Sequence, residues 1–205
     1  MIIDKSKFSE YDIEKLVKGT VVPRPIAWVS SVGKSGIPNL APYSYFNIVS
    51  TEPLMFIIAS GPGKNVGKSG DKDTLSNIRE TGDFVINMTS AGLADQMHHC
   101  STVYPKDVSE FEKAGLTVAK SEIVKSPRVL EAPISMECKL HKVLDIGNFN
   151  QIIGELVCYH IKDEVYLEND KVDYQKYDPI GRMAANYTHV RDLFYPGEVD
   201  SINRS

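Results

Sequence analysis

The amino-acid sequence predicts a mainly β domain in which short helices are inserted between antiparallel strands. Several apolar, β-rich runs follow one another at hairpin spacing and are separated by turn-forming residues such as GKSG at 33–36. The predicted strands and helices do not alternate along the chain, which argues against a doubly wound parallel sheet. With 205 residues, of which 42% are hydrophobic and 24% are charged, the chain suffices for a single globular domain over 1–205.

The strand predictions rest on five apolar runs. The run over 26–32 is followed by GKSG and then by a second run through the aromatic residues of 41–46, which predicts a hairpin. PLMFIIAS at 53–60 is continuously apolar and precedes Gly-Pro-Gly, which is typical of a strand buried on both faces. Farther along, the runs ISMECKLHKVLDI and QIIGELVCYHI are separated by GNFN and predict a second hairpin.

Three short helices are predicted between these strands. One begins near residue 73, where Asp73 or Thr74 can act as the N-cap, and ends at Gly82, before an apolar strand over 84–88. Two further helices are expected over 90–101 and 109–115, and the tail from about residue 174 is expected to pack on the body of the domain or on a partner subunit.

The loop GPGKNVGKSGDKDT at 61–74 contains many glycines and lysines, yet it matches neither of two phosphate-binding patterns. Five residues separate Gly61 from Gly67 where a Walker A loop has four, and a dinucleotide fingerprint needs a glycine where Val66 stands. Lysines and glycines that lead into a helix N-terminus can nevertheless bind an anion. A solvated surface loop is the alternative, and the residues alone leave both open.

Composition and charge limit the compartment and the partners. The net charge of −4 gives no general attraction to nucleic acid or to anionic lipid. No apolar run reaches about 18 residues, so neither a signal peptide nor a spanning helix is expected, and the predicted location is the cytoplasm. The three cysteines are far apart in the sequence, which suits reduced thiols.

The other chemical signals are weaker. HHC at 98–100 lacks the spacing of a zinc site, so no metal is expected. Cys138 and Cys158 lie in apolar runs, where a thiol is usually a small buried hydrophobe. The aromatic residues of 41–46 can be core side chains or can stack on a flat ring. His160, near the end of a strand, can be a structural histidine or a site histidine.

Several segments resemble one family when their order and spacing are taken together. They are PRPIAWVSS (23–31), NLAPYSYFN (39–47), KDTLSNIRETGDFVINM (72–88), SEFEKAGL (109–116), SPRV (126–129), ECKL (137–140), IGEL (153–156) and GR before NY (181–187). They resemble the flavin reductase-like family, the FMN-binding split barrels that include flavoredoxin and the reductase component of nitrilotriacetate monooxygenase. The resemblance implies an antiparallel, Greek-key-like split β-barrel that forms a homodimer with the flavin near the subunit interface.

The resemblance also implies which residues form the site. Ser44, Lys72 and Thr74 are expected to bind the flavin phosphate. His160 is expected at the edge of the nicotinamide or flavin as a catalytic residue. The other expected flavin contacts are Arg24, Pro25, Ser30, Tyr45, Asn47 and Ser60.

The activity that the resemblance implies is that of an NAD(P)H:flavin oxidoreductase. NADH or NADPH would pass a hydride to FMN, with FAD as a possible replacement, and the electrons would reach an acceptor such as a partner monooxygenase. One alternative is a flavoredoxin-like electron carrier that does not oxidise NAD(P)H directly. The other is a domain that binds a nucleotide or a protein partner without redox chemistry.

Overall fold

A computed structural model describes residues 2–63 and 71–194, and its body is one seven-stranded antiparallel sheet. The seven strands are β1 (Ala27–Val32), β2 (Pro38–Tyr43), β3 (Phe46–Thr51), β4 (Leu54–Ser60), β5 (Asp83–Met88), β8 (Ile134–Ile146) and β9 (Phe149–Ile161). Their order across the sheet is β2-β1-β5-β8-β9-β4-β3. The sheet curls so that β2 contacts β4.

Short elements surround this sheet. The helices are α1 (Glu10–Thr20), α2 (Asp73–Thr81), α3 (Ala94–His99), α4 (Glu110–Lys113) and α5 (Tyr174–Tyr177), with 3₁₀ helices at Lys5–Lys7 and Ala91–Leu93. Three two-stranded pairs complete the described chain, namely β6 (Val118–Ala119) with β7 (Arg128–Val129), β10 (Tyr166–Leu167) with β11 (Lys171–Val172), and β12 (Ile180–Arg182) with β13 (Tyr187–His189). No helix in these described ranges is long and apolar enough to cross a membrane.

Alternate side chains of β1 belong to two separate hydrophobic cores. Ala27 and Val29 pack in one core with residues of β4, β5, β8, β9 and α2. Trp28 points the other way, into a second core with Met97 of α3 and Phe111 of α4. Since successive side chains of a strand point to opposite faces, the helices inserted after β5 cover a face of β1 that would otherwise expose a tryptophan.

The C-terminal segment lies against the start of β1. Arg24 and Arg182 exchange two backbone hydrogen bonds of 2.9 and 2.8 Å. A Cβ atom on Gly181 would lie 2.6 Å from Pro23, so glycine is required for this close approach. The C-terminal segment thereby places Arg182 beside Arg24, just before the start of β1.

The mainly β fold with inserted helices is confirmed, and both hairpins, β1–β2 and β8–β9, form as the sequence predicts. Three details differ. The N-cap of α2 is Lys72 rather than Asp73 or Thr74, because Asp73 already has helical geometry. Strand β4 alternates between buried and half-buried residues, because only one of its faces points into the first core. The helix expected over 90–101 is a 3₁₀ turn followed by the short α3.

Candidate functional site

A cleft of about 670 Å³ lies where β2, the start of α2 and the segment after α3 meet. We call it the larger chamber, and its volume is within the range of about 300–1,000 Å³ that is common for small-molecule sites. Strand β2 contributes Asn39, Ala41, Pro42 and Tyr43; the start of α2 contributes Lys72, Asp73, Thr74 and Ser76; further lining residues are Gly63, Asp71, Glu110 and those of 100–106.

A second cleft of about 200 Å³ adjoins it, and we call it the smaller chamber. Both chambers are lined by Pro42, Tyr43 and Ser101. The remaining lining residues of the smaller chamber are Ile26, Ser44, Met97, His98, Arg182 and Tyr187. A molecule bound in one chamber therefore lies beside a molecule bound in the other.

The start of α2 offers an anion site to the larger chamber. The first N–H groups of a helix have no acceptor within the helix, and the N-cap residue Lys72 makes no side-chain capping hydrogen bond to them. Thr74 is buried there, and its Oγ1 accepts a 2.8 Å hydrogen bond from Asn39 Nδ2. Lys72 Nζ lies 5.4 Å from the centroid of the Tyr43 ring. The Lys72 ammonium group therefore lies beside the tyrosine that lines both chambers.

Two buried hydroxyl groups near the larger chamber lack a hydrogen-bond partner among the described residues. They are the phenol of Tyr43, which is 5% exposed, and Oγ of Ser60, which is 0% exposed. Burial raises the pKa of the Tyr43 phenol, and the nearby Thr74 and Ser60 hydroxyls oppose that shift without making a hydrogen bond of ordinary geometry. The Tyr43 hydroxyl oxygen is closed to solvent, so a ligand in the larger chamber would contact Tyr43 through other atoms.

Three carboxyl groups also line the larger chamber, and each has a partner. Asp73 lies 3.7 Å from Lys106 Nζ, and Asp71 forms a 2.9 Å ion pair with Arg79. Glu110 Oε2 accepts a 3.0 Å hydrogen bond from the Leu40 N–H on the edge strand β2. Burial raises the pKa of Glu110, which favours its uncharged form next to Asp73. These contacts reduce the repulsion that an anionic ligand would meet.

Arg24 is buried and positions Ser44. Its guanidinium donates hydrogen bonds to the carbonyls of Lys18 and Met183, both at 2.8 Å, and to that of Val21 at 3.2 Å. Its Nε donates to Ser44 Oγ at 3.3 Å. Arg24 thus joins the end of α1, the C-terminal segment and the turn after β2, and Ser44 faces the smaller chamber.

Three more predicted contacts, Pro25, Tyr45 and Asn47, lie near Arg24 or after the turn that follows β2. The Tyr45 ring stacks on Phe149, with centroids 5.5 Å apart, and the Arg24 guanidinium lies 5.8 Å from it. Asn47 is exposed on β3, where its side chain accepts a hydrogen bond from the Ile48 N–H. Pro25 is exposed next to Arg24. None of these three lines either chamber of the described chain.

Ser30 is buried on the face of β1 that is away from the first core. Its hydroxyl donates to the Pro127 carbonyl and accepts a 3.0 Å hydrogen bond from Asn87 Nδ2. Asn87 Oδ1 in turn accepts from the Val129 N–H and from Ser135 Oγ, at 3.0 and 2.9 Å. Ser30 therefore belongs to a closed polar network that holds the 127–129 segment on the sheet.

His160 lies outside both chambers, against the buried carboxylate of Glu137. The His160 Nε2 to Glu137 Oε1 distance is 2.6 Å. Glu137 is fully buried and also accepts hydrogen bonds from the N–H groups of 122–124, at 2.7–3.0 Å. Burial alone would raise the pKa of Glu137, but these donors together hold it below its usual value. With Cys158, these two residues make the one grouping of three potential metal ligands in the described ranges.

The structure therefore brings together some of the residues predicted from the sequence. Lys72 and Thr74 line the larger chamber, and Ser44 lines the smaller one. Ser60 lies near Tyr43, which lines both chambers. The loop lysines Lys64 and Lys68 lie outside the described residues. The sequence analysis did not select the lining residues Asn39, Glu110 and Arg182 for the site, and it named Tyr43 only among aromatic residues that can belong to the core or stack on a flat ring.

Comparison with known proteins identifies the family. The model of the flavin reductase like domain matches residues 19–178. An uncharacterized protein of Aquifex aeolicus is 44% identical over 173 residues, which are 84% of this chain and 87% of that protein.

Two solved structures are similar over nearly their whole length. The structure of nitrilotriacetate monooxygenase component B from Bacillus cereus has a TM-score of 0.89 and 33% identity, over 95% of this chain and 98% of that chain. The 2-nitrobenzoate 2-nitroreductase of Pseudomonas fluorescens has a TM-score of 0.87 and 33% identity, over 100% and 99% of the two chains. The predicted split β-barrel is confirmed, and the chain belongs to the flavin reductase-like family.

Proposed function

We propose that this protein is an FMN-dependent NAD(P)H:flavin oxidoreductase whose flavin site is the larger chamber. One observation carries the proposal. A helix start without a side-chain cap, the hydroxyl of Thr74 and the side chain of Lys72 meet in a cleft of suitable volume. This donor set suits a ligand with a phosphate at one end.

FMN fits these residues. Its phosphate would be held by the first N–H groups of α2, by Lys72 and by Thr74, with Asn39 fixing the Thr74 hydroxyl. Ser44 would contact the ligand from the turn after β2, where the two chambers adjoin. FAD would place the same phosphate at α2 and would need additional space for its adenosine.

The chain's own residues bind and orient rather than carry out acid-base chemistry. Bound flavin supplies hydride acceptance from NADH or NADPH and electron transfer to an acceptor. Pro42, Tyr43 and Ala41 give the larger chamber an apolar side that excludes water from a flat ring. His160 lies outside both chambers beside Glu137, and its contact with the nicotinamide or flavin edge remains a prediction from the family resemblance alone.

The acceptor and the assembly are part of the same proposal. Because component B of a nitrilotriacetate monooxygenase is 33% identical, we propose that a partner monooxygenase receives the electrons. We also propose a homodimer, since large apolar side chains are exposed on β3, at Ile48 and Val49, and on α1, at Leu16 and Val17. The expected compartment is the cytoplasm, where the three unpaired cysteines would remain reduced.

Steady-state oxidation of NADH and NADPH, with and without added FMN, tests the enzyme against its nearest alternative. The proposal predicts turnover that depends on FMN. A flavoredoxin-like carrier would bind FMN but oxidise neither nicotinamide at a useful rate. Protein that takes up no FMN at all would support a domain without redox chemistry. A Thr74→Val variant with reduced turnover at low FMN, restored by excess FMN, would tie the activity to the larger chamber.

A further inference from the structure

The smaller chamber combines cationic, aromatic and apolar groups in a small volume. The Arg182 guanidinium lies 4.5 Å from the centroid of the Tyr187 ring. The Tyr187 hydroxyl lies 3.1 Å from His98 Nδ1, and the two rings meet edge to face. Ile26, Pro42 and Met97 form the apolar part of the lining.

Backbone hydrogen bonds hold Arg182 in position, and the charge of its side chain takes no part in them. In the β12–β13 pair, Arg182 stands directly opposite Tyr187, and its N–H and carbonyl bond to Arg24. No carboxylate of residues 2–63 or 71–194 forms an ion pair with the Arg182 side chain. An arginine that lies over an aromatic ring and forms no ion pair with an acid can bind a carboxylate through two parallel hydrogen bonds.

The shape of the smaller chamber restricts the ligand further. Its volume of about 200 Å³ is below the range of about 300–1,000 Å³ that is usual for drug-sized ligands. An apolar floor of Ile26, Pro42 and Met97 favours a ring rather than a hydrated inorganic anion. The Ser101 hydroxyl, which donates to the His98 carbonyl at 2.6 Å, can accept a hydrogen bond from a polar substituent on that ring.

We propose that the smaller chamber is a binding site for a single-ring aromatic carboxylate, which Arg182 holds by its carboxylate and Tyr187 and Pro42 hold by its ring. Through Pro42, Tyr43 and Ser101 its occupant lies next to the contents of the larger chamber. The inference rests on the proposed function only in placing a flavin beside this ligand. The carboxylate site itself follows from the residues of the smaller chamber.

Calorimetric titration of FMN-saturated protein with benzoate, benzamide and inorganic phosphate tests the site. Benzamide has the ring without the charge, and phosphate has the charge without the ring. We expect benzoate to bind at least about tenfold more tightly than benzamide, as befits a hydrogen-bonded charge pair. Arg182→Gln should abolish that preference, while Arg128→Gln, whose side chain binds the Lys120 carbonyl away from both chambers, should retain it.

Three outcomes would overturn the inference: no benzoate binding, equal binding of benzoate and benzamide, or an unchanged preference in Arg182→Gln. Phosphate binding as tight as that of benzoate would also contradict it, because the ring would then contribute nothing. If Arg182→Gln melts much earlier than the native protein, Tyr187→Leu provides the second variant and should weaken benzoate and benzamide alike. A separate FMN titration distinguishes failure of the flavin site from failure of the smaller chamber.

Discussion

Asn39 Nδ2 donates a 2.8 Å hydrogen bond to Thr74 Oγ1, and this contact joins the edge strand β2 to the start of α2. It orients the Thr74 hydroxyl at the helix start, beside Lys72 and next to the unpaired phenol of Tyr43. Two segments that are far apart in the sequence thereby form one wall of the larger chamber. The phosphate site that we propose depends on this wall.

Replacing Thr74 by valine should weaken FMN binding by roughly tenfold or more, because a hydrogen bond to a charged group is worth about 1.5–3 kcal/mol. Quenching of flavin fluorescence measures the dissociation constant. Thr81→Val is the matched control, since its hydroxyl donates to the Asn77 carbonyl at the other end of α2. Equal effects of the two substitutions on FMN affinity would show that the Thr74 hydroxyl does not contact the phosphate.

Glu110 should make the protein less stable as the pH rises. Burial raises its pKa above the ordinary value of 4.5, so the stability associated with its protonated form is complete below pH 4.5 and declines as the pH passes the raised pKa. Glu110→Gln cannot ionise and keeps an acceptor for the Leu40 N–H. The melting temperature of this variant relative to the native protein should increase from pH 4.5 upward. A constant difference across that range would contradict the prediction.

Glu137 should have the opposite pH dependence. Its pKa is lowered, so its contribution is present above pH 4.5 and is lost as the pH falls through the lowered value. Glu137→Gln should cost about 2–3 kcal/mol at neutral pH, because an amide group cannot accept from all the donors of 122–124 and His160. Urea unfolding at several pH values measures this cost, which should shrink in acid. The exposed Glu168→Gln serves as control.

Gly154 on β9 should not tolerate a side chain. A Cβ atom there would overlap Cζ of Phe84 and lie 2.6 Å from its Cε1, and Phe84 is fully buried. Gly154→Ala should therefore cost about 1–3 kcal/mol, as overpacking does. Gly19→Ala in α1, where nothing lies within 4 Å of the new Cβ, should instead stabilise by about 0.5–1 kcal/mol. Chemical unfolding of both variants checks the contrast.

The strands could be predicted because their side chains follow local patterns. The alternation of Ala27, Trp28 and Val29 between two cores, and the left-handed Gly82 that ends α2 with φ of 74°, are both encoded in short stretches of sequence. Helix α1 was not predicted, although Ser9 caps it and its hydroxyl lies 2.6 Å from Asp12. Its apolar residues Ile13, Leu16 and Val17 repeat at helical spacing, so this helix could have been predicted, although none of its residues is buried in the described chain.

The candidate site was harder to predict because it depends on contacts between distant segments. Thr74 and Lys72 were selected through the resemblance, whereas Arg182, Glu110 and Asn39 acquire a role only when the C-terminal segment, α4 and β2 meet. The sequence pattern of Ser30 does not reveal that its hydroxyl is engaged by Asn87 and Pro127. Nor does the sequence around His160 reveal Glu137, which pairs with the neighbouring Cys158 across two strands.

The visible absorption spectrum of the purified protein tests the central claim most directly, recorded before and after addition of FMN and then of NADH without oxygen. We expect protein-bound flavin bands that bleach when NADH or, in a parallel sample, NADPH is added. Bands that persist with both nicotinamides would contradict the reductase and support a carrier. A protein that binds no flavin would contradict the assignment of the larger chamber itself.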